Sequence, residues 1–260
     1  YCPVILNSYA KRHLLTGWQF MRLIIFVTMS YAIQTDLARR ILYEDNHLIV
    51  VNKMVGEIVQ ADITGDTPLS ETIKTFLKER DAKPGNVFVG VPHRLDRPVS
   101  GICLFAKTSK ALERMNRMFN QGTVNKTYLA LVANKPGQND ALLVHYLTRN
   151  DKQNKSYALD KPSQGAKEAR LHYRYLKSIR NYHLLEIELM TGRHHQIRCQ
   201  LAAIGSPIKG DLKYGAKRPN PDGSISLHAY RLAFIHPVSR EPLLIVAPWS
   251  VLGKKITDFQ

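Results

Sequence analysis

Between positions 92 and 101 the chain reads PHRLDRPVSG, with a single carboxylate, Asp96, two residues after Arg94 and next to Arg97. Turn-forming and charged residues then give way to an apolar run at 102–106. A charged loop fixed by a rigid element is a common setting for catalysis. A carboxylate there can take a proton, attack an electrophilic carbon or stabilise positive charge. Spacing alone leaves a second reading equally open, because an aspartate in such a loop also caps turns or pairs with a surface arginine.

A second cluster, LMTGRHHQIR at 189–198, continues to GSPIKGD at 205–211. It reads as a strand end, a glycine turn and a helix start. A helix N-terminus beside Arg193 and His194 attracts anions through its free N–H groups and its positive dipole end. Adjacent histidines on a helix point about 100° apart, and no Cys or clustered Asp/Glu completes a ligand set, so zinc is not expected. His195 reads instead as a hydrogen-bonded structural residue.

Elements that would position these clusters follow from periodicity. ILYEDNHLIVV at 41–51 places two apolar runs around Asp45-Asn46, a hairpin pattern. Residues 67–80 start Thr67-Pro68 and put Leu69, Ile73, Phe76 and Leu77 on one helical face. A second helix is expected over 108–120, with Leu112, Met115 and Phe119 as its stripe and Gly122 as its stop, and a third over 194–204, with Ile197, Leu201 and Ile204 facing inward. Strands are expected at 124–132, 170–177, 182–190, 226–235 and 243–247. The polar stretch 134–169, with Pro136-Gly137 and two lysine-rich segments, reads as long surface loops whose lysines meet a phosphate backbone. Hairpins and helices mix without strict βαβ alternation. The expected class is therefore α+β, on a largely antiparallel mixed sheet with flanking helices and long loops.

The chain has 260 residues with 44% apolar and 22% charged side chains, enough for a buried core and too apolar for a disordered chain. Lys and Arg number 37 against 21 Asp and Glu, a formal charge of +16. Such a field concentrates polyanions, nucleic acid first among them. The three cysteines, Cys2, Cys103 and Cys199, form no CxxC pair, so a disulfide framework is not expected and a reducing compartment is. The apolar run at 23–27 is far too short to span a bilayer, and Arg22 interrupts a secretory reading. Residues 1–28 are expected to be an extension outside the core, with Met29 a natural start and 29–260 a single catalytic domain. The extension holds Lys11, Arg12, Arg22 and no acid, so the basic character belongs to the main body.

HRLDRPVSG at 93–101 resembles the HRLDxxxSG signature of the RluA-type pseudouridine synthases. ILYEDNHLIVVNK at 41–53, VNKTYLALV at 124–132 and TGRHHQIRCQLAAIGSPIKGD at 191–211 agree with that family in order and distance, and LHA at 227–229 with FIHP at 234–237 resembles its C-terminal motif. Several ordered motifs are far more specific than one. The resemblance implies the pseudouridine synthase catalytic fold. It also implies isomerisation of uridine already in ribosomal or transfer RNA, with no cofactor and no metal. It assigns Asp96 as the catalytic aspartate, Arg198 as its basic partner and Tyr128 as the tyrosine that stacks on the base. Arg94 resembles the residue that fills the stack vacated by a flipped nucleotide. Lys53, Lys126, Arg193 and Lys209 are weaker candidates for RNA backbone contact.

Met54 stands where the family often has Pro, His194 where a small hydroxyl residue is usual, and Gln200 where His is common. The family's frequent N-terminal RNA-binding module has no counterpart pattern in residues 1–40, so selectivity is expected from the catalytic domain of a cytoplasmic monomer. Two rivals remain. One is an RNA-binding protein of this fold that has lost catalysis. The other is a metal-dependent phosphoesterase using His93, His194 and His195, which lacks carboxylate ligands.

Overall fold

Ten strands form one sheet in the computed structural model, which describes residues 36–251 and 254–256. The expected extension, 1–28, lies outside the described residues. The chain divides into two compact units, residues 1–40 and 41–260, and every element named below belongs to the second.

The expected hairpin is β1 (Ile41–Glu44) and β2 (Leu48–Lys53), closed by the Asp45 carboxylate accepting the His47 and Leu48 amides at 2.7 Å. Helix α1 (Leu69–Arg80) follows Pro68, which stands at the cap position rather than inside the first turn. Strand β3 (Ser100–Ala106) leads into α2 (Ser109–Asn120), capped by the Thr108 hydroxyl accepting the Ala111 amide. Strands β4 (Asn125–Val132), β7 (Lys167–Ile179), β8 (Tyr182–Leu189), β9 (Leu227–Ile235) and β10 (Pro242–Val246) fall where alternation placed them. The sheet runs β1-β2-β3-β9-β4-β8-β7, with β10 also on β9. Every pairing is antiparallel except β3 with β9.

Two expectations fail. The stretch read as loops contains β5 (Asp140–Asn150) and β6 (Lys155–Leu159), which extend the sheet past β7. In β5 the buried face carries His145 beside Leu147, while Leu142 and Val144 are exposed on the other. The third helix, α3, spans only Gln196–Ala203, because His195 takes a left-handed backbone (φ 52°) that no regular helix contains. His194 and His195 precede the helix instead of lying on it, and their rings stack at 3.8 Å.

In the core, α3 sets Cys199 against Leu147 and Ala169 of the sheet, and Leu129 packs with Leu131, Leu184 and Tyr230; Met115 of α2, Leu201 of α3, Phe105 and Leu129 are fully buried. Each such side chain contributes about 1.5–3 kcal/mol of transfer free energy. At the single parallel contact, Gly101 pairs with Ala229 at φ 112°, and a Cβ on it would lie 2.3 Å from the Ala229 carbonyl oxygen. Only glycine permits this approach, which fixes where the loop carrying Asp96 enters the sheet.

Candidate active site

The Asp96 loop is held from below by one buried cation. Lys53, at the end of β2 and 0% exposed, donates from Nζ to the carbonyls of Val99 (2.7 Å), Met54 (3.0 Å) and Arg97 (3.2 Å). Burial lowers its pKa to about 8. Lys53 therefore does not contact RNA backbone as expected; its ammonium is spent on loop carbonyls beneath the surface. Further ties come from the Val99 amide to the Asp96 carbonyl (3.0 Å), the Gly56 amide to the Arg97 carbonyl (3.0 Å), and Ser100 Oγ to His228 Nδ1 (2.8 Å).

Above this base lies a cleft of about 1100 Å³, lined by Arg94, Asp96, Lys126, Tyr128, Arg193 and Arg198 among others. Six of the eight residues singled out by sequence thus meet at one place. Lys209 does not line it: its Nζ donates to Asn220 and sits 5.4 Å from the Tyr182 ring centre, near the other end of β4. Two cations that sequence reasoning did not single out, Arg149 of β5 and Lys213, also line the cleft.

Asp96 and Arg198 are 102 residues apart in sequence, and Arg198 Nη1 donates to Asp96 Oδ2 at 3.0 Å. Arg198 is anchored from behind by Asp211, whose two oxygens accept from Nε (2.7 Å) and Nη2 (2.9 Å). Burial works to lower the Arg198 pKa, but the hydrogen bonds and charge of Asp211 outweigh it and the net direction is upward. Asp211 closes one of the motif segments, yet nothing in its spacing signalled this role. Its partner is set by the helix that carries Arg198 across to it.

Tyr128 lies on β4 beside a register shift against β9 between Thr127 and Tyr128. Such irregularities re-aim side chains near functional sites. Burial, then the neighbouring Asp96 charge, push its phenol pKa up, so it holds its proton at neutral pH. His93 is engaged elsewhere: its Nε2 accepts the Leu104 amide (2.9 Å), its ring stacks on Phe119 at 4.8 Å, and burial lowers its pKa to about 4. No group of three or more His, Cys, Asp or Glu among the described residues is arranged to hold a metal ion. His195 approaches the same oxygen of Asp96 as Arg198, with Nε2 3.5 Å from Oδ2, and its Nδ1 lies 3.0 Å from the Tyr214 hydroxyl.

A buried arginine paired with a half-buried carboxylate in a cation-lined cleft, with a protonated phenol in the same lining, suits chemistry at a sugar or base of an anionic polymer. The family model for RNA pseudouridylate synthase matches residues 47–203. The chain is 34% identical over 218 residues to a ribosomal large subunit pseudouridine synthase D of Nitrosomonas europaea, covering 80% of this chain and 61% of that one. It is 32% identical over 242 residues to the like-named protein of Xanthomonas campestris pv. campestris, covering 86% and 70%. The chain thus spans about 61–70% of the length of these relatives. Among solved structures, human RNA pseudouridylate synthase domain containing 4 shares the fold with a TM-score of 0.71 at 22% identity, covering 87% of this chain and 95% of that one. By the family model and by these relatives, the chain belongs to the RNA pseudouridylate synthase family.

Proposed function

We propose that this protein converts specific uridines in ribosomal or transfer RNA to pseudouridine. The observation that carries the reading is the Asp96–Arg198 pair, assembled from distant segments at the floor of the cation-lined cleft and facing Tyr128. The reaction breaks the bond from N1 of uracil to C1′ of ribose and forms one from C5 to C1′, while the C5 proton is lost and N1 gains one. No atom is added or removed, so no cofactor is needed. Asp96 acts at the sugar or the base while the glycosidic bond is broken, and one carboxylate suffices because the uracil anion is delocalised and stays in the cleft. Tyr128 stacks on the detached base and, with its raised pKa, is a donor rather than a base.

A paired uridine must leave its stack to reach Asp96. Arg94 is exposed at the cleft rim, and among the described residues its guanidinium has no hydrogen-bond or ionic partner, which leaves that plane free to take the vacated place. Arg193 and Lys126 meet the flanking phosphates. We place the protein in the cytoplasm as a monomer. No helix among the described residues is long and apolar enough to cross a membrane.

The test is incubation of the protein, with an Asp96→Asn control, with unmodified ribosomal and transfer RNA transcripts, followed by pseudouridine mapping at single-nucleotide resolution. An Asp96-dependent signal at defined uridines is expected. RNA that binds but yields no product would overturn the reading in favour of a non-catalytic RNA-binding protein of this fold.

A further inference from the structure

We infer that His195 is a positioning residue for Asp96: its Nε2–H and the Arg198 guanidinium hold the same carboxylate oxygen, Oδ2, and leave Oδ1 as the oxygen presented to uridine. The inference rests on the pseudouridine synthase reading above. It comes from a chain of donors. The Tyr214 hydroxyl oxygen accepts the Ser156 amide at 2.8 Å, which leaves its own proton to be given away. His195 Nδ1 lies 3.0 Å from that hydroxyl, and with the phenol as donor Nδ1 accepts and the single ring proton sits on Nε2, the tautomer the inference requires. Nε2 in turn lies 3.5 Å from Asp96 Oδ2, the oxygen that Arg198 Nη1 reaches at 3.0 Å; the Arg198 contact is a formed hydrogen bond and the His195 contact is longer than one. Among the described residues, Asp96 Oδ1 accepts no hydrogen bond. Contacts that are long in the free enzyme commonly tighten with substrate bound.

The ring has little freedom to do otherwise. It stacks on His194 at 3.8 Å and meets the Tyr214 ring edge-on at 5.6 Å. The Tyr214 ring also lies 5.0 Å from the Arg198 guanidinium carbon, so one phenol steadies both partners of Asp96. The charged and titratable groups facing His195 are Asp96, Arg198, His194 and Lys213, and burial keeps the imidazole neutral, with a pKa lowered to about 3. Its left-handed backbone is a strained conformation for a non-glycine residue, and such strain persists where the surroundings demand it.

Single-turnover pseudouridine formation, at the uridine mapped above, would be measured for His195→Asn, His195→Gln and Tyr214→Phe, with RNA affinity and melting temperature in parallel. The His195→Asn amide is too short to reach Asp96, and the rate should fall roughly 10- to 100-fold with RNA affinity unchanged. His195→Gln restores an N–H near the position of Nε2 and should recover most of that loss. Tyr214→Phe keeps the ring but frees the tautomer, and its rate should fall in between. Nitrogen-15 NMR of the histidine side chains should show His195 as the Nε2–H tautomer, with a shift in Asp96→Asn. A wild-type rate in His195→Asn, equal losses in His195→Asn and His195→Gln at unchanged melting temperature, or an Nδ1–H tautomer would each overturn the inference. A wild-type protein inert on every RNA, but with the Nε2–H signal sensitive to Asp96→Asn, overturns the enzymatic reading and leaves the placement of His195 standing.

Discussion

Two arginine–carboxylate hubs in this molecule are built as mirror images. At the cleft one arginine serves two carboxylates: Arg198 gives Nε and Nη2 to Asp211 and only Nη1 to Asp96. Across the sheet one carboxylate serves two arginines: Glu186 of β8 accepts from Arg174 of β7 at 2.8 Å and from Arg231 of β9 at 2.9 Å, one on each oxygen. Counting formal charges, the first hub is −1 and the second +1. Glu186 and Asp211 have both oxygens satisfied, whereas Asp96 has one oxygen held and one facing the cleft, with its side chain 32% exposed. A carboxylate with both oxygens engaged serves the architecture, and one with an idle oxygen at a solvent-filled cleft is available for chemistry.

The most direct way to break this contrast is Asp96→Asn. Turnover should fall on the order of 10³-fold or more, while RNA affinity and melting temperature stay close to wild type, because the phosphate-binding charge lies on other residues. Measurable stability loss without loss of turnover would put Asp96 in the same class as Asp211. The complementary change, Asp211→Ala, removes two of the three carboxylate acceptors of a buried guanidinium and leaves it only the Asp96 contact. Breaking the buried side of this pairing costs about 3 kcal/mol, read as a lower urea midpoint, with turnover reduced as Arg198 reorients. A loss below about 1 kcal/mol would show that Arg198 is held by Asp96 rather than by Asp211.

The open half of the cleft hub was legible in sequence and the closed half was not. Asp96, Tyr128 and Arg198 stand in motif segments whose order survives without coordinates. Asp211 is different: its burial follows from how far α3 carries Arg198, a tertiary distance that no spacing encodes. Lys53 was misread for a related reason. A lysine ending a strand is usually solvated, but this one stands under a loop whose turned carbonyls need a donor, and those of Arg97 and Val99 find it, with the adjacent Met54 carbonyl as its third acceptor. The strands β5 and β6 were missed because the Pro136-Gly137 turn and the lysine-rich segments around them set the reading of the whole stretch, which hid the apolar run at 141–147 that forms β5 and brings Arg149 to the cleft.

The charge count at the cleft depends on His195 being neutral, since a charged imidazole would bring that hub to zero. The pKa of His195 is lowered from 6.5 to about 3 in the folded protein. Below pH 6.5 the unfolded chain takes up a proton that the folded one refuses, so this group costs stability as pH falls from about 6.5 toward 3 and costs nothing above. Urea titrations across that window should show His195→Asn losing stability with a slope smaller than wild type by about 1.4 kcal/mol per pH unit. Identical slopes would mean that the folded imidazole is already protonated and the two hubs differ less than their geometry says.

The smallest effect is expected where charge is most crowded to the eye. Arg174 and Arg231 are 54% and 39% exposed, so water screens both, although the Glu186 side chain itself is only 10% exposed. Glu186→Gln keeps an acceptor for one arginine and a similar shape, and it relieves no buried cation of its only partner. A destabilisation of about 0.5–1 kcal/mol is expected, with pseudouridine formation unchanged, measured by urea unfolding and the single-turnover assay on the same preparations. Because β8 lies next to β4, a larger penalty accompanied by lost turnover would mean that the sheet hub sets the position of Tyr128. The cleft would then depend on two charge clusters of opposite sign instead of one.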